Sequence, residues 1–322
     1  MAALETVNLT KDYAVGFWRP RPYRALDRLS LRVDTNDVFG FLGPNGAGKT
    51  TTLKLLTELI YPTSGRISIL GRPPGDPDLR RRIGYLPEAP YFYDYLSAEE
   101  LLHYFAGLFG LRGAARTTRV SNLLDRVGIG GERRLPLRKF SKGMLQRVGL
   151  AQALINEPDL VFLDEPMSGL DPLGRRDVRA LILELRDRGC TVFFSSHILS
   201  DAEALCSRVA IVVGGQLVTS GRLSEILAFQ VSGWELVMAD LQPAALEALG
   251  SAVRKVTRIS EGRYTVEVTP EAEPERIVGE LRSRGGRFVS LNPVRTTLED
   301  YFVQQVEARK AAPPAGRAMP EG

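Results

Sequence analysis

Residues 43–51 run Gly-Pro-Asn-Gly-Ala-Gly-Lys-Thr-Thr, so Gly43, Gly48, Lys49 and Thr50 fill the pattern G-x-x-x-x-G-K-[ST]. Glycines let a backbone curl until successive N–H groups face one centre, which suits the oxygens of a phosphate. Gly43, Pro44, Asn45, Gly46, Ala47, Gly48, Lys49, Thr50 and Thr51 together form a candidate cradle. Lys49 would reach the β- and γ-phosphates of a nucleotide, and the Thr50 hydroxyl would join the shell of a Mg²⁺ ion. Farther along, an apolar run ends on Asp164 and Glu165. Asp164 suits the Mg²⁺ shell, and Glu165 suits polarising an attacking water. His197, one of two histidines in the chain, closes a second apolar run 33 residues after Asp164.

These groups need elements to hold them. Val38–Leu42 is a short apolar run that predicts a buried strand, and 51–60 has helical spacing. A strand, a glycine loop and a helix N-terminus in that order form a dipole-assisted anion site. Leu160–Asp164 and Thr191–Ser196 predict two more buried strands. In Phe-Ser-Lys-Gly-Met-Leu-Gln-Arg, 140–147, Ser141 takes an N-cap position before a helical run over 144–155.

With these segments in this order, the chain resembles the ATP-binding cassette (ABC) ATPases over about residues 3–227. The resemblance identifies 140–144 with that family's signature motif, usually written LSGGQ. It matches Asp164 and Glu165 to the Walker B aspartate and catalytic glutamate, 168–172 to the D-loop, and His197 to the switch histidine. Tyr13 matches the aromatic that stacks on adenine. A GTPase would carry an N-K-x-D base-recognition motif, and the chain has none. Two departures stand out. Glu88 occupies the place of the Q-loop glutamine, and a carboxylate cannot donate a hydrogen bond as an amide does. In the signature, Lys142 and Met144 replace a glycine and the glutamine, while Ser141 and Gly143 remain. This variant looks like that of the exporter-type branch, which includes drug, polysaccharide and gliding-associated ATPases.

The resemblance implies a P-loop α/β fold: a RecA-like parallel sheet core, an antiparallel β subdomain and a helical subdomain. It also implies a dimer of cassettes packed head to tail, in which Ser141 and Gly143 of one chain close over ATP held by Lys49 of the other. The second cassette would be an identical copy or a sister cassette. The cofactors would be ATP and Mg²⁺, and the motion of the dimer would pass to separate membrane permease subunits. The alternative is a soluble ABC ATPase acting on nucleic acid or ribosomes. Only 115 residues separate Lys49 from Asp164, with no sustained heptads, which disfavours the branch with long coiled coils.

Composition sets bounds. Hydrophobic content of 44% and charge of 25% over 322 residues are ordinary for a globular protein, with room for two domains. No apolar run approaches 18 residues, so no span of a bilayer is expected. The N-terminal residues lack a basic-then-apolar leader, which predicts a cytoplasmic protein; the resemblance to a transporter cassette implies a peripheral place on the cytoplasmic face of the membrane. Cys190 and Cys206 have no metal-ligand spacing and are expected as buried small hydrophobes. A net charge of +4 is too mild to imply nucleic acid but compatible with anionic lipid headgroups.

Residues 3–35 predict short strands of a β subdomain, with the basic, aromatic and proline-containing stretch 16–24 as a solvated loop or wide hairpin connection. His103 falls in a helical pattern and is expected on a helix surface. Residues 95–150 predict a helical arm carrying the signature, and 158–220 alternate strand and helix. Beyond residue 230 the pattern changes to βαββαβ plus a final helix over 297–308, a ferredoxin-like arrangement spanning 231–308. It shows no catalytic constellation, and a regulatory or dimer-supporting role is expected. The tail 310–322, rich in Ala, Pro and Gly, is expected to be disordered.

Overall fold

Three uninterrupted apolar runs become the middle of a six-stranded sheet, where strands covered on both faces have no reason to alternate. The computed structural model describes residues 2–16, 18, 21–227, 231–247, 252–269, 273–295 and 297–311. The chain begins with β1 (Ala2–Val15), β2 (Arg21–Asp34), β3 (Val38–Leu42), α1 (Lys49–Leu56) and β4 (Ser64–Ile69). Next come α2 (Pro77–Arg82), β5 (Ile83–Leu86), α3 (Ala98–Leu108), α4 (Gly113–Arg126) and α5 (Lys142–Ala153). Then follow β6 (Leu160–Asp164), α6 (Pro172–Asp187), β7 (Thr191–Ser196), α7 (Leu199–Leu205), β8 (Arg208–Val213), β9 (Gln216–Arg222) and α8 (Leu223–Ile226). The chain divides into two compact units between Ser224 and Glu225.

In the first unit the sheet order is β5-β6-β7-β3-β8-β9. The first five strands are parallel and β9 returns antiparallel on β8. Parallel neighbours require crossover connections, and helices supply them. Every residue of β3, β6 and β7 is buried. Phe39 stacks on Phe193 with ring centroids 5.6 Å apart, and Phe162 meets the same ring edge-on at 5.8 Å. Each such fully buried side chain contributes on the order of 1.5–3 kcal/mol. Leu53 and Leu56 of α1 join this cluster, which fixes the helix against the sheet directly behind the glycine loop. Helix α1 stops at Leu56 rather than near residue 60. Glu58 has φ +60°, and its carboxylate accepts from Gly75 N at 2.6 Å, so a tertiary contact ends the helical run.

The β subdomain departs from the expected short strands. It has two fourteen-residue strands and β4, in the order β2-β1-β4. Register shifts interrupt the β1–β2 ladder, and Asn8 and Arg28 both have φ +49°. Bulges of this kind break the sequence alternation while the ladder continues. Arg21 to Arg24 also belong to β2 rather than to a loop, pairing with Val15 to Asp12. Pro22 is tolerated because β2 is an edge strand.

The second unit contains β10 (Val231–Ala239), α9 (Pro243–Glu247), β11 (Val253–Ser260), β12 (Arg263–Val268), α10 (Pro274–Ser283), β13 (Arg287–Arg295) and α11 (Leu298–Ala311). Its antiparallel sheet has the order β11-β12-β10-β13, the strand order of the ferredoxin-like split βαβ. Leu236, Met238, Val266, Val268, Ile277 and Leu281 form a core of its own. The start of α11 is fixed by Thr297, whose Oγ1 accepts from Asp300 N at 3.1 Å while Asp300 Oδ2 accepts from Thr297 N at 2.9 Å. Lys310 and Ala311 close this helix instead of opening a tail, and 312–322 lie outside the described residues. Among the described residues, no helix is long and apolar enough to cross a membrane.

Candidate functional site

Where the glycine loop leaves β3 and where it enters α1, the two flanking glycines have no room for a side chain. A Cβ on Gly43 would lie 2.2 Å from the Val212 carbonyl oxygen. Gly48, the N-cap of α1, has φ +97°, and a Cβ there would lie 2.6 Å from the Ala25 carbonyl oxygen. Only glycine satisfies both conditions. Lys49, the first residue of α1, turns back over the loop. Its Nζ donates to Gly43 O at 2.7 Å and to Pro44 O at 3.3 Å, and lies 3.4 Å from Glu165 Oε1.

A cleft of about 310 Å³ opens over this loop, lined by Asn45, Gly46, Ala47, Gly48, Lys49, Thr50 and Thr51 with Glu165 and Glu88. Tyr13, Tyr23 and Ala25 supply its other wall. Tyr13 and Tyr23 are cross-strand partners in the β1–β2 ladder, and Lys11 Nζ sits 5.2 Å from the centre of the Tyr13 ring. Aromatic rings beside a phosphate cradle can take the flat face of a base. Gly43 and Pro44 do not line the cleft; their carbonyls hold Lys49 instead.

Asp164 ends β6, is fully buried and lies behind the loop. Its Oδ1 accepts from Ser195 Oγ at 2.5 Å, whereas Oδ2 has no partner in hydrogen-bonding geometry. Burial raises the Asp164 pKa above its usual 3.8; Ser195 and the nearby Thr50 hydroxyl oppose that rise, Glu88 adds to it and Lys49 opposes it. A buried carboxylate oxygen without a partner, next to a hydroxyl and a phosphate cradle, is what a divalent cation would complete. Mg²⁺ characteristically uses one or two carboxylates together with phosphate and water oxygens. Burial, with the Asp164 carboxylate adding to it, also pushes the Tyr85 phenol above its usual value.

Glu165 follows with φ +49°, a left-handed conformation costing roughly 1–2 kcal/mol for a side chain with a Cβ. The turn takes its carboxylate out of line with β6, where Oε1 meets Lys49 and Oε2 lies 2.9 Å from His197 Nδ1. A carboxylate only accepts, so Nδ1 carries the proton of this bond. His197 is half exposed and reaches the cleft only through Glu165.

Ser141 is the N-cap of α5, accepting from Met144 N at 3.2 Å. Neither Ser141 nor Gly143 lines the cleft of its own chain. Ser141 is exposed, and Gly143 faces the turn after Glu165: a Cβ there would lie 3.3 Å from Leu170 Cδ2, and the Lys142 stem covers Gly169. Asp171 caps α6, its Oδ1 accepting from Gly174 N at 2.7 Å. His103 does more than decorate a surface, since its Nδ1 accepts from Arg116 Nε at 3.1 Å and ties α3 to α4.

Three residues here escaped the sequence reading. Ser195 was hidden in an apolar run, although a hydroxyl at the C-terminal end of a buried parallel strand is itself a signal. Gln146 is 1% exposed in a helix whose polar residues otherwise suggest a surface. Tyr23 needed the hairpin register, which the bulges conceal.

A glycine loop between a parallel strand and a helix, with a strand-end carboxylate pair opposite its lysine, defines a P-loop nucleotide-binding fold. The family model for ABC transporters matches residues 26–168. An ABC transporter ATP-binding protein of Synechocystis sp. is 45% identical over 311 residues, covering 95% of this chain and 85% of that protein. The bacitracin transport ATP-binding protein BcrA of Enterococcus faecalis is 32% identical, covering 93% of this chain and 94% of its own length. Among solved structures, the ATP-binding subunit of an ABC transporter is 33% identical with a TM-score of 0.62, covering 70% of this chain and 91% of that one. The ATP-binding cassette MJ0796, a dimer in a post-hydrolysis state bound to ADP and Pi, is 26% identical with a TM-score of 0.63, covering 68% and 98%. This chain belongs to the family of ABC transporter ATP-binding proteins. It is the ATP-binding, ATP-hydrolysing subunit of such a transporter.

Proposed function

We propose that this chain drives export by closing on ATP as a homodimer and passing the motion to separate permease subunits at the cytoplasmic face of a membrane. The observation that carries the site assignment is the convergence of Lys49 and His197 on the two oxygens of Glu165, beside a glycine cradle. In this reading the amides of 45–50 and the Lys49 ammonium bind the phosphates, and Tyr13 stacks on the adenine with Tyr23 beside it. Glu165 accepts the proton of the attacking water, and His197 holds Glu165 in place. Thr50 and the free Oδ2 of Asp164 would hold Mg²⁺, which supplies charge neutralisation at the phosphates. Glu88 lies at the cleft mouth, where the moving parts of the cassette and a permease would meet.

Ser141 and Gly143 sit away from their own chain's cleft, so in this reading they serve the nucleotide of a second copy. A helix N-terminus with free N–H groups suits a γ-phosphate. Relatives named for bacitracin and multidrug transport support the export direction. The second unit has its own core and, among the described residues, no group of His, Cys, Asp and Glu that could hold a metal, and we assign it to regulation or support of the dimer.

The test joins two measurements. Glu165→Gln is expected to lower ATP turnover roughly 10²–10⁴-fold while ATP binding persists and a dimer accumulates with Mg²⁺ and ATP. Purification of the chain from its native membrane is expected to bring a polytopic partner. A Glu165→Gln protein that turns over normally, or stays monomeric at saturating nucleotide, would refute the site and dimer assignments respectively; recovery with ribosomes or DNA would refute the transport role.

A further inference from the structure

The Glu165 main chain is held from both sides by side chains of other elements. Its N–H donates to Ser195 Oγ at 3.1 Å. On the other side, Gln146 Nε2 donates to Glu165 O and to Pro166 O, each at 3.3 Å. The Glu165 oxygen also accepts from Ser168 N at 3.0 Å, so the turn after β6 is closed on itself as well. Gln146 is 1% exposed and lies on α5, five residues after Ser141. A buried amide facing two carbonyls has only one favourable orientation, with the NH₂ toward them.

We infer that Gln146 is a positioning residue for ATP hydrolysis: it ties the helix that begins at Ser141 to the main chain that aims the Glu165 carboxylate. This inference rests on the role proposed above for Glu165 as acceptor of the water proton. The physical basis is the left-handed φ of Glu165, which its surroundings must hold. Ser195 fixes the amide side through β7, and Gln146 fixes the carbonyl side through α5. The Ser141 end of α5 is about 7.5 Å away along the helix axis. A ligand seated on Ser141 therefore bears on Glu165 through one rigid helix and one amide. Glu165 reaches its working geometry when α5 is in place, and α5 is placed by what Ser141 meets.

The test compares Gln146→Met, which keeps the length and loses the donor, with wild type and with Glu165→Gln. The expected result is a drop in kcat of about tenfold or more, with KM for ATP and nucleotide affinity within about twofold of wild type. In the Glu165→Gln background, single-turnover hydrolysis is expected to fall no further when Gln146→Met is added, because the residue acts only through Glu165. A kcat within twofold of wild type, or full multiplication of the two losses in the double variant, overturns the inference while leaving the role of Glu165 intact. Wild-type turnover by Glu165→Gln alone overturns both. Should Gln146→Met fail to fold, Gln146→Asn, with the amide withdrawn by one methylene, is read by the same split between kcat and KM.

Discussion

Lys49 Nζ lies 3.4 Å from Glu165 Oε1, with the two side chains only 7% and 8% exposed. Two nearly dry opposite charges hold one another, and each is shared: the lysine with the loop carbonyls, the carboxylate with His197. Removing either leaves its partner buried and uncompensated, which is more damaging than losing an exposed pair. An arriving phosphate competes for the same ammonium. Cradle and base are therefore coupled before any substrate is present.

Lys49→Ala removes a charge-assisted phosphate contact worth about 1.5–3 kcal/mol. ATP affinity is expected to fall roughly 10–100-fold, read by equilibrium binding of a fluorescent nucleotide. Unchanged affinity and turnover would take Lys49 out of the cradle.

Ser195→Ala deletes the one hydroxyl that donates to Asp164 Oδ1 and accepts from Glu165 N. Both groups are buried, so a loss of about 1–3 kcal/mol in unfolding free energy is expected from denaturant titration. Turnover should also fall. A variant as stable and active as wild type would show the bridge to be incidental.

Asp164→Asn tests the electrostatics with a definite sign. Burial leads the forces that raise the folded pKa of this carboxyl above its ordinary 3.8. Between the ordinary and the raised value the folded chain binds more protons than the unfolded one, so the group's contribution to stability falls as pH rises. Asparagine has no such fall. The denaturation midpoint of nucleotide-free Asp164→Asn, relative to wild type, is expected to climb across that window and then level off, while ATP hydrolysis is lost. A relative midpoint that declines with pH would reverse the assigned direction.

Gly43→Ala places a methyl 2.2 Å from the Val212 carbonyl oxygen, and backbone cannot yield as a flexible side chain can. A loss of about 1–3 kcal/mol is expected, together with nucleotide binding. Gly46→Ala serves as the contrast, because no atom lies within 4 Å of a Cβ there and only its φ of +80° opposes the change. Equal effects of the two would show that backbone conformation, not space, constrains the loop.

The sequence made the cradle legible because its chemistry is local: Gly43 to Thr51 are consecutive, and their flanking strand and helix follow at once. Asp164, Glu165 and His197 were legible because each ends a buried strand of unmistakable apolarity. The groups that brace them were not. Ser195 and Gln146 act across 30 and 19 residues, and nothing in either segment advertises its partner. Tyr23 was obscured for a different reason, since bulges at Asn8 and Arg28 shift the alternation that would have placed it opposite Tyr13. The end of α1 moved because a tertiary contact at Glu58 outweighed local propensity, whereas the start of α11 fell where expected, at the reciprocal cap of Thr297.

Strand β3 finds both its neighbours far downstream, β7 at Val192 to Ser196 and β8 at Arg208 to Ile211. The loop that hangs from β3 is thus translated early and built late. The first neighbour, β7, follows about 150 residues later, and about 170 residues must follow Gly43 before Val212 is there to pack against it. Such distant closure is slow and leaves apolar edges uncovered in the meantime. A truncated nascent chain ending before residue 208 would carry every letter of the phosphate motif without β8 or Val212 beside it, and is expected not to grasp a nucleotide.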